Sequence, residues 1–252
     1  MKTCISTRFD RYNIFFDLWL KNYLNYNLDI IIFLDGEVTE IVNKVNELKN
    51  LGIKISVIEL KNKENIYKID NIKFFNGIFN ILYNDYKYEK IIYIDPDELI
   101  LVDDINIILN NQDDFLISKG FEIIQYKNEE FYDLNKNFLG QRNFGKWTHE
   151  YDKVCVFKKN IFPKSQGRHG YNISHGPSII EKKYIYLINL REICFLTLLE
   201  NSEINLKKYA TNHKHHSLSS FKEINDRMEK WYYPNSIEIP TDIKKIIIKH
   251  SI

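Results

Sequence analysis

At 252 residues and 30.3 kDa the chain is long enough to bury a sizeable core, as one large α/β domain or two closely packed halves. Its 35 basic and 34 acidic residues leave a formal net charge of +1, which gives no electrostatic reason to expect a nucleic-acid partner. The abundance of Ile, Asn and Lys reads as the coding bias of an AT-rich genome, and most of the 17 Tyr as core and surface filler.

Residues 3–6 read as a short first strand, ending at Thr7, Arg8, Phe9 and Asp10. Residues 12–24 are apolar and aromatic at helical spacing, with Ile14, Phe15, Leu18 and Trp19 able to face a sheet. A second strand over 29–34 closes on Asp35 and Gly36. The clearest helix follows, because Val38, Ile41, Val42, Val45 and Leu48 recur at three and four residues and Gly52 supplies a C-terminal stop. A third strand covers 53–60. After a polar linker over 61–65 comes a longer helix with Ile72, Phe75, Phe79, Leu82 and Tyr86 on one stripe, which delivers the chain to a strand over 91–94. This alternation predicts a mostly parallel central sheet flanked by helices, since each parallel step needs a crossover. Neither Gly-x-Gly-x-x-Gly nor a P-loop is present, which argues against a dinucleotide oxidoreductase or an ATPase.

The stretch over 90–103 organises the rest. Ile91, Ile92, Tyr93 and Ile94 form a β-branched and aromatic run flanked by charge, as a central strand covered on both faces does. It stops at Asp95-Pro96-Asp97-Glu98, where Pro96 cannot donate to a ladder and pushes Asp95 away from helical geometry. Both aspartates are thereby placed on a tight turn at the carboxyl end of a strand, where open α/β sheets bind ligands. Three carboxylates within four positions repel one another, and a hard divalent cation shared with substrate phosphates would relieve the repulsion. The same residues also read as an ordinary turn before a solvated helix start.

An apolar strand followed by Asp95, Pro96, Asp97, Glu98 and Leu99 resembles the signature of glycosyltransferases of GT-A fold, in particular the family-2-like branch with an Asp-x-Asp-Glu motif. The resemblance covers most of the chain in outline, and only 95–99 match specifically. It implies the nucleotide-diphospho-sugar transferase fold over 1–252 as one domain, with a nucleotide-sugar-binding half over 1–119 and an acceptor-side half over 120–252. It further implies that Asp95 and Asp97 hold the donor with Mn²⁺ or Mg²⁺. By the same likeness Thr7 and Arg8, in the loop after the first strand, touch the nucleotide, and Asp35 accepts hydrogen bonds from base or ribose. A salt bridge from Arg8 to Asp10 and a turn-forming Asp35-Gly36 pair are the plainer readings. Asn76 and Asn80 either approach the donor or form a solvated helix flank.

The second half is less regular. Residues 115–118 and 121–125 read as strands, 126–145 as a polar, aromatic loop region, and 154–157 as an alternating strand. Trp147 and Lys153 resemble a tryptophan and then a lysine that family-2-like transferases often carry before such a strand. Inverting sugar transfer needs a group to take the acceptor hydroxyl proton, and Glu150 and Asp152, with His149 beside them, are the candidate bases. Alternation places Glu150 and Asp152 on one face if the strand starts early; each also reads as a solvated strand-end charge. In the Gly-flanked stretch over 167–176, His169 resembles a third metal ligand and Arg168 a group that offsets pyrophosphate charge, against the plainer reading of a Gly-rich loop. Where relatives end the strand over 184–189 on a histidine, this chain has Asn189, a departure from the pattern. His213, His215 and His216 make a poor zinc signature, and Ser217 reads as the cap of a helix over 218–231. Residues 243–248 read as a tail strand or an amphipathic surface contact.

Cys4, Cys155 and Cys194 are widely separated, odd in number and lack metal spacing, as buried thiols in a reducing compartment are. Arg8, Asp10, Arg11 and Asp17 break up any signal sequence, and the longest apolar candidate, over 184–199, is cut by Asn189, Arg191 and Glu192. The expectation is a cytoplasmic enzyme with no transmembrane segment, with peripheral membrane contact left open. It would move a sugar from a UDP- or GDP-sugar to a hydroxyl acceptor that is a glycan or is lipid-linked or protein-linked, with inversion. The alternatives are another metal-dependent nucleotide enzyme, such as a nucleotidyltransferase, and a non-catalytic sugar- or partner-binding module on a degenerate transferase scaffold.

Overall fold

Strand and helix alternate through the first half of the chain, as the spacing of its apolar residues predicts. The computed structural model describes residues 1–60, 71–127, 129, 139–148, 152–163, 185–190 and 220–249. In order come β1 (Thr3–Phe9), α1 (Ile14–Leu24), β2 (Asp29–Leu34), α2 (Thr39–Asn50), β3 (Ile55–Glu59) and α3 (Asn71–Asn80). Then follow β4 (Lys90–Tyr93), β5 (Glu98–Val102), the short α4 (Asn106–Leu109), β6 (Phe115–Ile117) and β7 (Lys119–Ile124). Further along the described residues come β8 (Phe144–Trp147), β9 (Val154–Lys158), β10 (Ile185–Asn189), α5 (Phe221–Arg227), β11 (Ile237–Glu238) and α6 (Thr241–Lys249). The chain divides into two compact units, Met1–Gly120 with His149–Leu187, and Phe121–Thr148 with Ile188–Ile252.

The first unit holds a six-stranded sheet in the order β3-β2-β1-β4-β9-β6. β3, β2, β1 and β4 are parallel, and β9 returns antiparallel between β4 and β6. The α/β class with a mostly parallel sheet flanked by helices is therefore as expected. The strands are apolar on both faces because both are covered. Ile31, Phe33, Ile91 and Tyr93 pack with Ile78, Phe79 and Leu82 of α3 and the turn after it, while Ile30, Ile32 and Ile92 are equally buried on the other face. α1 starts at Asn13, whose side chain accepts from the N–H groups of Phe15 (3.0 Å) and Phe16 (3.3 Å), and it buries Phe15, Phe16, Leu18 and Trp19. α2 ends as predicted at Gly52, which sits at φ +84°, a conformation that L side chains resist.

β1 runs three residues beyond its predicted end, so Thr7 and Arg8 lie in the strand and not in a loop after it. Their polar character concealed a ladder that continues to Phe9, opposite Leu34.

In the second unit β11, β8 and β7 form an antiparallel ribbon. Gly145 in β8 is required by packing, since a Cβ there would overlap the Phe121 ring. The predicted loop over 126–145 thus ends in a strand. Ser220 caps α5, its hydroxyl accepting from Glu223 N–H at 3.2 Å. Ile224 and Met228 pack with Tyr232, Tyr233 and Ile124. Residues 243–248 are helical: Ile243, Ile246 and Ile247 are buried at spacings of three and four, and Ile248 is exposed. No described helix is long and apolar enough to cross a membrane.

Candidate functional site

β4 delivers the carboxylate cluster to the carboxyl edge of the parallel strands. Beyond Tyr93 the chain stays beside β1, with Ile94 N–H donating to Ser6 O at 3.1 Å. It then reverses in a β-turn closed by Glu98 N–H donating to Asp95 O at 3.0 Å, with Pro96 and Asp97 at the corners. Pro96 pre-sets the backbone for the second turn position. This is the turn the sequence predicts. It places Asp95 and Asp97 half-buried at the edge and sends Glu98 inward as the first residue of β5, 1% exposed.

β5 is held from one side by α1. Ile100 N–H donates to the Tyr23 hydroxyl at 2.7 Å, and Ile100 O accepts from Tyr26 Oη at 3.4 Å and Asn22 Nδ2 at 3.5 Å. Burial pushes the Tyr23 hydroxyl well above the usual phenol range, so it stays protonated.

Against the turn stands Lys153. Its Nζ donates to Asp95 Oδ2 at 3.2 Å and to Glu98 Oε1 at 2.5 Å. The Lys153 side chain is 6% exposed, that of Glu98 1% and that of Asp95 25%. The backbone explains the meeting. β9 pairs with β4 through Lys90–Lys158, Ile91–Phe157 and Ile92–Val156, and that register carried onward sets residue 153 level with residue 95. Lys153 O also accepts from Ser118 N at 3.0 Å and Ser118 Oγ at 3.2 Å, which fixes the lysine backbone beside β6. An ammonium from within the fold thus meets two of the three carboxylates whose repulsion the sequence reading assigned to a divalent cation. Asp97 is the member with no hydrogen bond or ion pair among the described residues.

The other candidates fall as follows. Thr7 is fully buried in β1, and among the described residues neither its hydroxyl nor that of the buried Ser6 has a hydrogen-bond partner. Arg8 is half-buried, level with Phe33 of β2. Asp35 follows β2 at the same edge, its N–H donating to Phe9 O at 2.9 Å. Asn76 is half-buried and Asn80 exposed, the latter accepting from Asn84. Asp152 accepts from Gly120 N–H at 2.8 Å, so one of its oxygens already orders the entry to β7. β9 starts at Val154, so Asp152 precedes the strand. Glu150, Arg168 and His169 lie outside the described residues, as do His149, His213, His215, His216 and Ser217. Trp147 is in β8, half-buried, its ring edge-on to Phe121 at 4.7 Å. Asn189 is buried at the end of β10.

Sequence reasoning singled out Lys153 beside Trp147 but assigned it no partner. The one available signal was a lysine at the head of an apolar strand, which a core position accepts only where polar groups receive the ammonium.

No protein-family model and no curated protein matches this chain. Among solved structures, one of S. aureus TarS aligns with a TM-score of 0.41 at 10% identity over 93% of this chain and 45% of that one. A second, of S. aureus TarS 1-349, gives 0.39 at 12% identity over 93% and 74%. This chain spans less than half the length of the first. Likeness of this degree decides nothing about chemistry, which rests on the side chains at the turn.

Proposed function

We propose that this chain is a glycosyltransferase that moves a sugar from a nucleoside diphosphate sugar to a hydroxyl acceptor, binding the donor at the turn between β4 and β5. The observation that carries this is the placement of Asp95 and Asp97 at the carboxyl edge of a parallel sheet, with Asp97 half-buried and lacking a partner among the described residues. Thr7, Arg8 and Asp35 on or beside the neighbouring strands are the residues we assign to the nucleotide. Outside the described residues we assign Arg168 to the leaving diphosphate and Glu150 to the acceptor proton. Asp152 is the second choice for that role, since one of its oxygens is engaged by Gly120 N–H.

A divalent cation fits these residues in a limited way. Mg²⁺ or Mn²⁺ accepts one or two protein carboxylates and leaves its other positions to phosphate oxygens and water. Asp97, with Asp95, suits that donor set. Among the described residues no group of three or more His, Cys, Asp and Glu is arranged to hold a metal by itself. When bound, the cation would offset the charge that gathers on the departing diphosphate.

The test is a thermal-shift screen of UDP- and GDP-sugars with and without Mn²⁺, on the wild-type chain and on Asp97→Ala. Stabilisation by at least one of them should require the cation and vanish in the variant. A shift that needs no metal and survives the substitution would refute the assignment. Product analysis separates sugar transfer, which leaves nucleoside diphosphate, from nucleotidyl transfer, which releases pyrophosphate.

A further inference from the structure

We infer that Lys153, by its hold on Asp95, makes uptake of a divalent cation at the turn depend on a nucleoside diphosphate. The inference deepens the donor-site reading and rests on it.

The ammonium is not a mobile surface charge. Its side chain is 6% exposed, Glu98 at 1% exposure clamps it from β5, and the lysine carbonyl is held by Ser118 through two bonds. Swinging away would take the ammonium from a buried carboxylate, which is costly. A cation approaching Asp95 and Asp97 alone must therefore come close to a fixed positive charge, in a setting less polar than water that strengthens the repulsion. A diphosphate arriving with the cation reverses the balance, because its negative oxygens are attracted to ion and ammonium alike. The protein thus holds one carboxylate engaged and one available, and the ligand supplies what the available one lacks. Lys153 acts through Asp95 and is a positioning residue.

The experiment measures Mn²⁺ binding by calorimetry, with the Mn²⁺ taken up by nucleotide in buffer subtracted. In the wild-type chain, UDP or GDP should tighten Mn²⁺ binding by about tenfold or more. Because Lys153→Met alone leaves Glu98 charged and buried, the informative protein is Lys153→Met/Glu98→Gln, in which both members of the buried pair are neutral. It should bind Mn²⁺ without nucleotide about tenfold or more tighter than wild type. Lys153→Arg, which keeps the charge, should retain the nucleotide dependence. A folded double variant with wild-type affinity for Mn²⁺ alone would overturn the role of Lys153 while leaving the donor site standing. If Asp97→Asn takes up Mn²⁺ and UDP or GDP as the wild type does, the donor site itself is wrong and the inference falls with it.

Discussion

Each end of the β4–β9 pair carries a buried lysine, and the two are satisfied in opposite ways. At the amino end of β4 the Lys90 ammonium donates to three backbone carbonyls, Ile108 at 2.6 Å, Leu109 at 2.8 Å and Asn111 at 2.8 Å. Burial and the nearby Lys158 push it down to about 8, so it is charged at neutral pH. At the carboxyl end Lys153 meets two carboxylates, one of them a quarter exposed. Carbonyls of one's own backbone have no other use, and the Lys90 end is a closed joint that fastens α4 to the sheet. Carboxylates at a strand tip can be shared with an incoming ligand, and the donor site is proposed at the Lys153 end for that reason.

The largest effect should come from breaking the second arrangement. Lys153→Met takes the ammonium from buried Glu98 and from Asp95 and should lower unfolding stability by about 3–5 kcal/mol, read from urea denaturation. Adding Glu98→Gln should return most of it. Lys90→Met leaves three carbonyls short of a donor and should lower stability by about 2–4 kcal/mol while leaving nucleotide-dependent Mn²⁺ uptake as in wild type. Loss of that uptake would erase the distinction between the ends.

Alkaline pH bears on the buried phenols. Tyr83, whose hydroxyl donates to Lys158 O and Ile161 O, and Tyr23 and Tyr88 all lie above the usual phenol range, chiefly through burial. In the unfolded chain they ionise near 10, so their contribution is whole below about 10 and is lost as pH climbs past it. Denaturation midpoints should fall there together with the rise of tyrosinate absorbance. Tyr23→Phe removes the acceptor of Ile100 N–H and should cost about 1–2 kcal/mol. Smallest of all, Asp97→Asn should change stability by no more than about 0.5 kcal/mol, as expected for a side chain with nothing to lose in the fold. Cation-dependent stabilisation by a UDP- or GDP-sugar should nevertheless disappear, a separation of folding from binding that the same substitution at Asp95 would not give.

What the sequence disclosed follows from range. The stripe of Val38, Ile41 and Val45 and the block of Ile91 to Ile94 are local patterns that announce a helix and a strand covered on both faces. Pro96 between two aspartates announces a turn for the same reason. The Lys153–Asp95 contact spans 58 positions and depends on the register with which β9 returns along β4, something no window of sequence contains. Thr7 and Arg8 misled because polar residues near a ligand-binding edge look like loop while still obeying the ladder. The isoleucines over 243–248 misled because β-branched residues suggest a strand, and only burial of Ile243, Ile246 and Ile247 reveals the helical period.

The clasp on Ile100 has a consequence for the chain in crowded solution. Glu98–Val102 is a five-residue, nearly all-apolar strand, the kind of segment that can recruit a strand from another molecule if its backbone is left open. The phenol of Tyr23 takes the very N–H that an intruding strand would need, and Tyr26 and Asn22 cover the adjoining oxygen. The first helix thereby shields the end strand that bears Glu98 from self-templating.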